Sequence, residues 1–287
     1  MTDPELVQHV VVCYGNSMGY HHGAKYQILS AYKKWYSRAH SSITVVTDKP
    51  ELFESYPVKL RIINETEWKN WSLDGSQHFG VKLKGLTEVI KESECANTIL
   101  LDTDMYWISD PKSLVSQVGS KNVVMYQDEG LIYGSKNRSI QKFEESLHQN
   151  EFQLGDGIYR LSPDSRMWGS AIIAASRAHI PSLEKAYEIF ENLEPIVPTH
   201  TVEQFALSEA FRLKNIEISA GKKYTNDWSS IGKKNYATAV LAEFFNEYGE
   251  NNFSIHLEKW KSIRIKRPIK TLINQKIIRW KEKRSQS

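Results

Sequence analysis

Five short apolar runs recur through the first half of the chain: HVVVCY, SSITVVTD, KLRIIN, NTILLD and NVVMYQ. Each is rich in β-branched residues, as strands buried between helices are. Between the first two lies AKYQILSAYKKWYSRA, and between the third and fourth FGVKLKGLTEVIKES, both with apolar residues at helical spacing. This alternation predicts a mostly parallel, Rossmann-like α/β sheet flanked by helices. In such sheets ligands bind beyond the carboxyl ends of the strands. Later, PSLEKAYEIFENL and VEQFALSEAFRLK read as helices, and a mixed aromatic region runs on to Tyr248.

The start, MTDPELVQHVVVCYG, has no basic segment followed by an apolar one, so no signal peptide is expected. No apolar run is long enough to span a membrane. Cys13 and Cys95 are the two cysteines among 287 residues, which predicts buried thiols in a reducing, cytoplasmic setting rather than a disulfide framework. The formal charge of +3 hides a division. From Lys261 onward there are ten Lys/Arg against one acid, Glu282, while the remainder carries 27 basic and 33 acidic residues. Residues 1–260 therefore read as the folded domain and 261–287 as a basic tail. Pro268 suits a helix start, and Ile269, Leu272, Ile273, Ile277 and Trp280 fall on one face of an amphipathic C-terminal helix. That face either packs on the domain or lies in an anionic membrane surface, which would make the protein peripheral on the inner face of the cytoplasmic membrane. The acidic body and the lack of a recognition motif argue against nucleic acid.

The fourth apolar run ends abruptly in NTILLDTDMYWISDP. On extended backbone Asp102 and Asp104 point the same way, because side chains alternate with period two. Two such charges need a cation, or one must stay protonated. No Lys or Arg follows before Lys112, so Mg²⁺ or Mn²⁺ is the economical partner, with positions left for substrate phosphates. A solvated turn whose two acids cap the next segment is the alternative. The stretch lacks the further ligands and glycine of an EF-hand loop. Met105-Tyr106 stands where a haloacid-dehalogenase-type phosphatase would show Gly-Thr.

Other segments allow two uses each. GNSMGYHHGAK is glycine-rich but lacks Walker A spacing, and the adjacent His21 and His22 diverge, which fits a surface loop. Lys82 and Lys84 lie on the helix before the Asp pair, where a lysine either reaches a phosphate or is solvated. Trp168-Gly169-Ser170 either lines a sugar site or forms strand core with a close backbone approach. Asp156, between two glycines, is a loop acid that contacts substrate or serves the turn. Thr201-Val202-Glu203-Gln204 reads as a capping box, with Thr201 capping and Gln204 reaching back.

The stretch ILLDTDMYWISDP resembles the DxD motif of GT-A fold glycosyltransferases. The order of its neighbours agrees: VVVCYG resembles the first nucleotide-binding strand, ITVVTDKPELF the second, FGVKLKGL the basic helix before the motif, and RMWGSAIIA the later strand beside the acceptor. The likeness covers roughly residues 9–256. It implies transfer of a hexosyl or N-acetylhexosaminyl group from a nucleotide sugar, UDP-linked, to a glycan or lipid-linked glycan, as in surface-polysaccharide biosynthesis. The implied metal is Mn²⁺ or Mg²⁺ on Asp102 and Asp104. It further implies Tyr14, Gly15, Asp48, Lys82 and Thr103 at the nucleotide sugar, Trp168, Gly169 and Ser170 at the acceptor, and Glu203, Gln204 or Asp156 as catalytic groups. In glycogenin-like members a late histidine is a third metal ligand and a following lysine meets the diphosphate. Here these would be His256 and Lys259 or Lys261, which leans the expectation toward a retaining enzyme. The Gly and Pro of that family pattern are missing from FSIHLEKWK. A metal-dependent nucleotidyltransferase and a catalytically inactive nucleotide- or glycan-binding module are the competing readings.

Overall fold

The structure, a computed structural model, describes residues 7–37, 40–148, 150–154 and 157–266. The chain opens with β1 (Val7–Val12), α1 (Met18–Lys34), β2 (Ser41–Thr47), β3 (Lys59–Ile62), α2 (Glu65–Trp71), α3 (Phe79–Glu92) and β4 (Asn97–Leu101). It continues through β5 (Met105–Trp107), α4 (Lys112–Val115), β6 (Asn122–Met125), β7 (Asp128–Leu131) and α5 (Arg138–Leu147). A hairpin of β8 (Phe152–Leu154) and β9 (Gly157–Tyr159) leads to β10 (Arg166–Trp168) and β11 (Ile172–Ser176). Then follow α6 (Ile180–Leu193), α7 (Val202–Leu213), β12 (Glu217–Ala220), β13 (Thr225–Asp227), α8 (Ile231–Tyr248) and α9 (Phe253–Lys259).

All five apolar runs are strands of one seven-stranded sheet, ordered β12-β6-β11-β4-β1-β2-β3. Only β11 runs antiparallel within it, against β4 and β6. The period-two pattern explains the three layers. Val10 of β1 and Leu100 of β4 face the core shared with α3, α6 and α7. Their neighbours Val11, Ile99 and Leu101 face the opposite core, filled by Ala24, Ile28 and Leu29 of α1. Helix α3 lies close to the sheet at Gly85, where a Cβ would come within 3.2–3.3 Å of Val46 and Val12.

Strand order reverses at β1, with β2 and β3 on one side and β4 on the other. The crevice outside the carboxyl ends of β1 and β4 is therefore where a doubly wound sheet takes its ligand.

Three expectations change. The mixed aromatic region up to Tyr248 divides into β12, β13 and helix α8, and FSIHLEKWK begins as helix α9. RMWGSAIIA is two strands parted at Gly169-Ser170, with β10 pairing β7 and β11 entering the sheet. Packing also continues past Lys261, because Ile265 is buried against the aromatic cluster of α8. The helix expected from Pro268 lies outside the described residues. Among those described, no helix is long and apolar enough to cross a membrane.

Ile99 is fully buried in the middle strand pair. Ile99→Ala should lower the unfolding free energy by about 2–5 kcal/mol. Urea titration measures this, and an unchanged midpoint would contradict the packing described.

Candidate functional site

A cleft of about 800 Å³ opens at the carboxyl ends of β1 and β4, within the range of small-molecule sites. Its floor is the Asp102-Thr103-Asp104 turn, which the chain pins from several directions. Asp102 N–H donates to Ala171 O at 3.0 Å, and Met105 N–H to Asp102 O at 3.0 Å. The Gln27 amide of α1 donates to Asp102 O at 2.8 Å. Trp228 N–H donates to Asp104 O at 3.1 Å. At Gly23 of α1 a Cβ would stand 2.2 Å from Thr103 O, so only glycine lets the helix pass this close. Behind the turn, Tyr106 and Trp228 stack at 5.6 Å, Tyr26 meets Tyr106 edge-on at 5.4 Å, and Trp260 stacks on Tyr26 at 5.2 Å. The aromatics beside the acids thus form the turn's support.

The turn's cations come from distant sequence. Lys82 of α3 is 6 % exposed, and its Nζ lies 2.8 Å from Asp102 Oδ1 and 3.3 Å from Glu203 Oε1. It also donates to Ser170 Oγ at 2.9 Å, whose hydroxyl donates onward to Glu203 Oε2 at 2.9 Å. Burial disfavours the Lys82 ammonium, but Asp102 and Glu203 outweigh it and hold the pKa above the usual lysine value. Glu203 is fully enclosed; burial raises its pKa, against the pull of Lys82. Among the described residues Asp104 pairs with Lys234 of α8 alone, at 3.8 Å. Burial and then the Asp102 charge push its pKa up to about 6. Lys112, the nearest cation in sequence after the pair, is exposed and turns to Asp110.

Tyr14 and Gly15 line the cleft at the end of β1. The Tyr14 hydroxyl donates to His78 O at 2.6 Å, and burial raises its pKa. Gly15, at φ +80°, takes a backbone conformation that favours glycine and donates its N–H to Asp48 at 3.0 Å. Thr103, Ser170, Glu203 and Gln204 also face the cleft. Thr201 and Gln204 do not form the expected capping box: Thr201 has no side-chain cap bond and instead meets Thr199 at 3.3 Å.

Other expectations are not brought together here. His256 is fully buried in α9, its Nδ1 2.7 Å from the Tyr56 hydroxyl and its Nε2 2.7 Å from Gly249 O. Both ring nitrogens are occupied, so it is a packing histidine outside the cleft rather than a third metal ligand. Lys259 and Lys261 are exposed and outside the cleft, with Lys259 paired to Glu258 at 2.7 Å. Trp168 and Gly169 lie beyond the cleft lining; Trp168 packs against the core under α7. His21 and His22 are buried in α1 instead of a surface loop, His21 bridging Cys13 Sγ and Gly15 O and His22 meeting Glu250 at 2.8 Å. Asp156 lies outside the described residues. Sequence reasoning missed His78, His200 and Lys234, which line the cleft; no local pattern marks them.

Among the described residues no three His, Cys, Asp or Glu side chains form a group that holds a metal ion. Asp102 and Asp104 remain as hard oxygen donors with a shortage of positive charge at Asp104. That fits Mg²⁺ or Mn²⁺, which take one or two carboxylates and complete their shells with water and phosphate oxygens. No protein-family model and no curated protein matches the chain.

Two outcomes follow. A folded-state pKa of about 6 against an ordinary 3.8 means that ionised Asp104 costs stability as pH rises through that window. Asp104→Asn should therefore leave stability unchanged near pH 3.5 and raise it by about 1–3 kcal/mol at neutral pH. Melting curves across pH test this; equal shifts at both ends would refute it. His256→Ala should cost about 1–3 kcal/mol by leaving buried partners unpaired, while a Mn²⁺ titration of the cleft stays unchanged.

Proposed function

We propose that the chain is a metal-dependent glycosyltransferase of the GT-A type. It would move a hexosyl or N-acetylhexosaminyl group from a nucleotide sugar, UDP-linked, to a glycan or lipid-linked glycan. The carrying observation is electrostatic: one cleft has room for a cation and for a polyanion together. The cation's place is the turn with Asp104 short of positive charge. Helix starts support a place for the polyanion. Ser17, His78 and Thr201 begin α1, α3 and α7 at the cleft wall, and none is capped by a side chain. Asn64, Asn137 and Asn252 cap α2, α5 and α9, while α4, α6 and α8 also start without a side-chain cap. What sets the three cleft helices apart is that their starts converge on one cavity. Uncapped N-termini present amide donors and a positive dipole end to an anion. Lys82 and Lys234 add full charges. A nucleoside diphosphate carrying Mg²⁺ or Mn²⁺ satisfies both demands.

Bound there, the metal would offset charge that develops on the departing diphosphate. Asp102 and Asp104 would hold it. Lys82, fixed by Glu203 and Ser170, presents a positive charge to the leaving group without having to reorganise. Tyr14, Gly15 and Asp48 line the same cleft at the end of β1, where the nucleoside would fit. Glu203 is engaged by Lys82 and Ser170, which suits orienting Lys82 better than taking a proton. Gln204, half-buried at the lip, is the group open to the reacting sugar. The expectation of retention rested on His256 in the cleft and loses that support. A place at the inner face of the cytoplasmic membrane, through the tail from Lys261, belongs to the same proposal.

Calorimetry of UDP with Mn²⁺ tests the reading. Asp102→Asn and Asp104→Asn should each weaken UDP binding by at least tenfold and remove its metal dependence, with the fold retained. Release of UDP from a UDP-sugar supports sugar transfer, whereas pyrophosphate released from a nucleoside triphosphate identifies a nucleotidyltransferase. Binding without turnover identifies a binding module.

A further inference from the structure

Beside the cleft, the β6–β7 turn carries aromatic and polar side chains that the donor site does not use. Tyr126, Gln127 and Glu129 are half-buried there. The Tyr126 hydroxyl donates to Asp227 Oδ2 of β13 at 3.2 Å. Lys222 holds its Nζ 5.3 Å from the Tyr126 ring centre and donates to Gln127 Oε1 at 2.6 Å.

The backbone at Gly169 closes the inner side. Tyr126 N–H donates to Gly169 O at 2.8 Å, and Gly169 N–H donates to Gln127 O at 2.9 Å. A Cβ on Gly169 would stand 3.1 Å from Glu129 Oε1 and 3.4 Å from Tyr126 Cδ1. Glycine therefore keeps the edge of the Tyr126 ring and the Glu129 carboxylate clear of a side chain. Among the described residues no Lys or Arg nitrogen comes within 4.0 Å of Glu129, and Arg166 nearby is taken by Asp128.

This shelf adjoins the reacting end of the cleft. Asp227 of β13 stands opposite Met105 of β5, next to the turn, and its neighbour Trp228 donates its N–H to Asp104 O at 3.1 Å. In the sheet, β6 stands on the other side of β4 from β1 and β2. The shelf and the Tyr14–Asp48 end thus flank the carboxylate turn from opposite sides.

Its chemistry narrows the ligand. An aromatic ring offers a broad apolar surface with a polar handle, suited to the C–H face of a pyranose. Carboxylates accept hydrogen bonds only; Glu129 already takes one from Gln127 and keeps other lone pairs for ligand hydroxyls. The Lys222 ammonium spends one N–H on Gln127 Oε1 and has two left to donate. Glu129 and Asp227 are balanced by Lys222 and by Lys233, which lies 3.6 Å from Asp227 Oδ1, so the shelf offers an anion no surplus positive charge. We propose that Tyr126, Glu129 and Asp227, with Gly169 beneath, form the acceptor subsite and take an uncharged, hydroxyl-rich sugar ring. The assignment rests on the sugar-transfer reading above.

Saturation-transfer NMR on the full chain, with UDP and Mg²⁺, tests it. The probes are methyl glycosides of glucose, galactose, mannose and N-acetylglucosamine. At least one should be saturated by the wild-type protein. Tyr126→Ala and the near-isosteric Glu129→Gln should weaken that signal more than tenfold and leave the UDP signal intact. Tyr126→Phe, which keeps the ring, should lose only a few-fold. Absence of any glycoside signal in the wild type overturns the proposal, as does its survival in both Tyr126→Ala and Glu129→Gln. Loss of the UDP signal in the wild type, with glycoside binding present, would count against the donor reading and leave the subsite standing.

Discussion

A lysine ammonium taken out of water must be met by opposite charge and hydrogen-bond acceptors, or it will not stay charged. Lys82 meets that condition by drawing three separate parts of the chain to one point. Asp102 comes from the end of β4, Glu203 from the first turn of α7, and Ser170 from the approach to β11. Removing a single partner of such a buried set typically costs about 3–5 kcal/mol, because the remaining charge is left uncompensated. The walls of the cleft are therefore held in register by the same charge that would face a ligand. Rigidity at the site and the placing of a positive charge in its wall are two results of one interaction.

The two acids of the turn are unequal for the same reason. Asp102 shares an enclosed ammonium at 2.8 Å, whereas Asp104 has a looser one at 3.8 Å. Since the backbone between them is fixed by Gln27, Ala171 and Trp228, neither acid can relieve the repulsion by swinging the turn away. A cation entering the cleft finds a deficit already in place at Asp104, with the geometry set beforehand.

Much of this was legible in the chain because strand and helix patterns are local. The β-branched runs and their helical partners mark the sheet, and period two places Asp102 and Asp104 together at a strand end. What was not legible depends on long-range packing. Lys82 was singled out, but nothing local says that it pairs with Asp102, twenty residues on. Lys234 lies on a helix whose sequence names no partner, and His78 and His200 stand at helix starts with no surrounding motif. His256 misled for the opposite reason: its sequence position suited a ligand, while burial against Phe244 and Phe245 gave both ring nitrogens protein partners. The Thr201 box misled because the Thr201 hydroxyl meets Thr199 rather than the first turn of α7.

The aromatic group behind the turn has an optical consequence. Trp228 is buried and stacked on Tyr106, and its backbone N–H holds the Asp104 carbonyl. Trp260 reaches the same group through Tyr26 and is only partly covered. One indole is therefore tied to the backbone of the carboxylate turn, and the other sits just before Ile263 and Ile265, which pack on the same aromatic cluster. Their share of the emission from the chain's eight tryptophans would respond to charge entering the cleft, through the buried chromophore, and to changes in the cover of Ile263 and Ile265, through the other. The protein needs no attached dye to register events at either position.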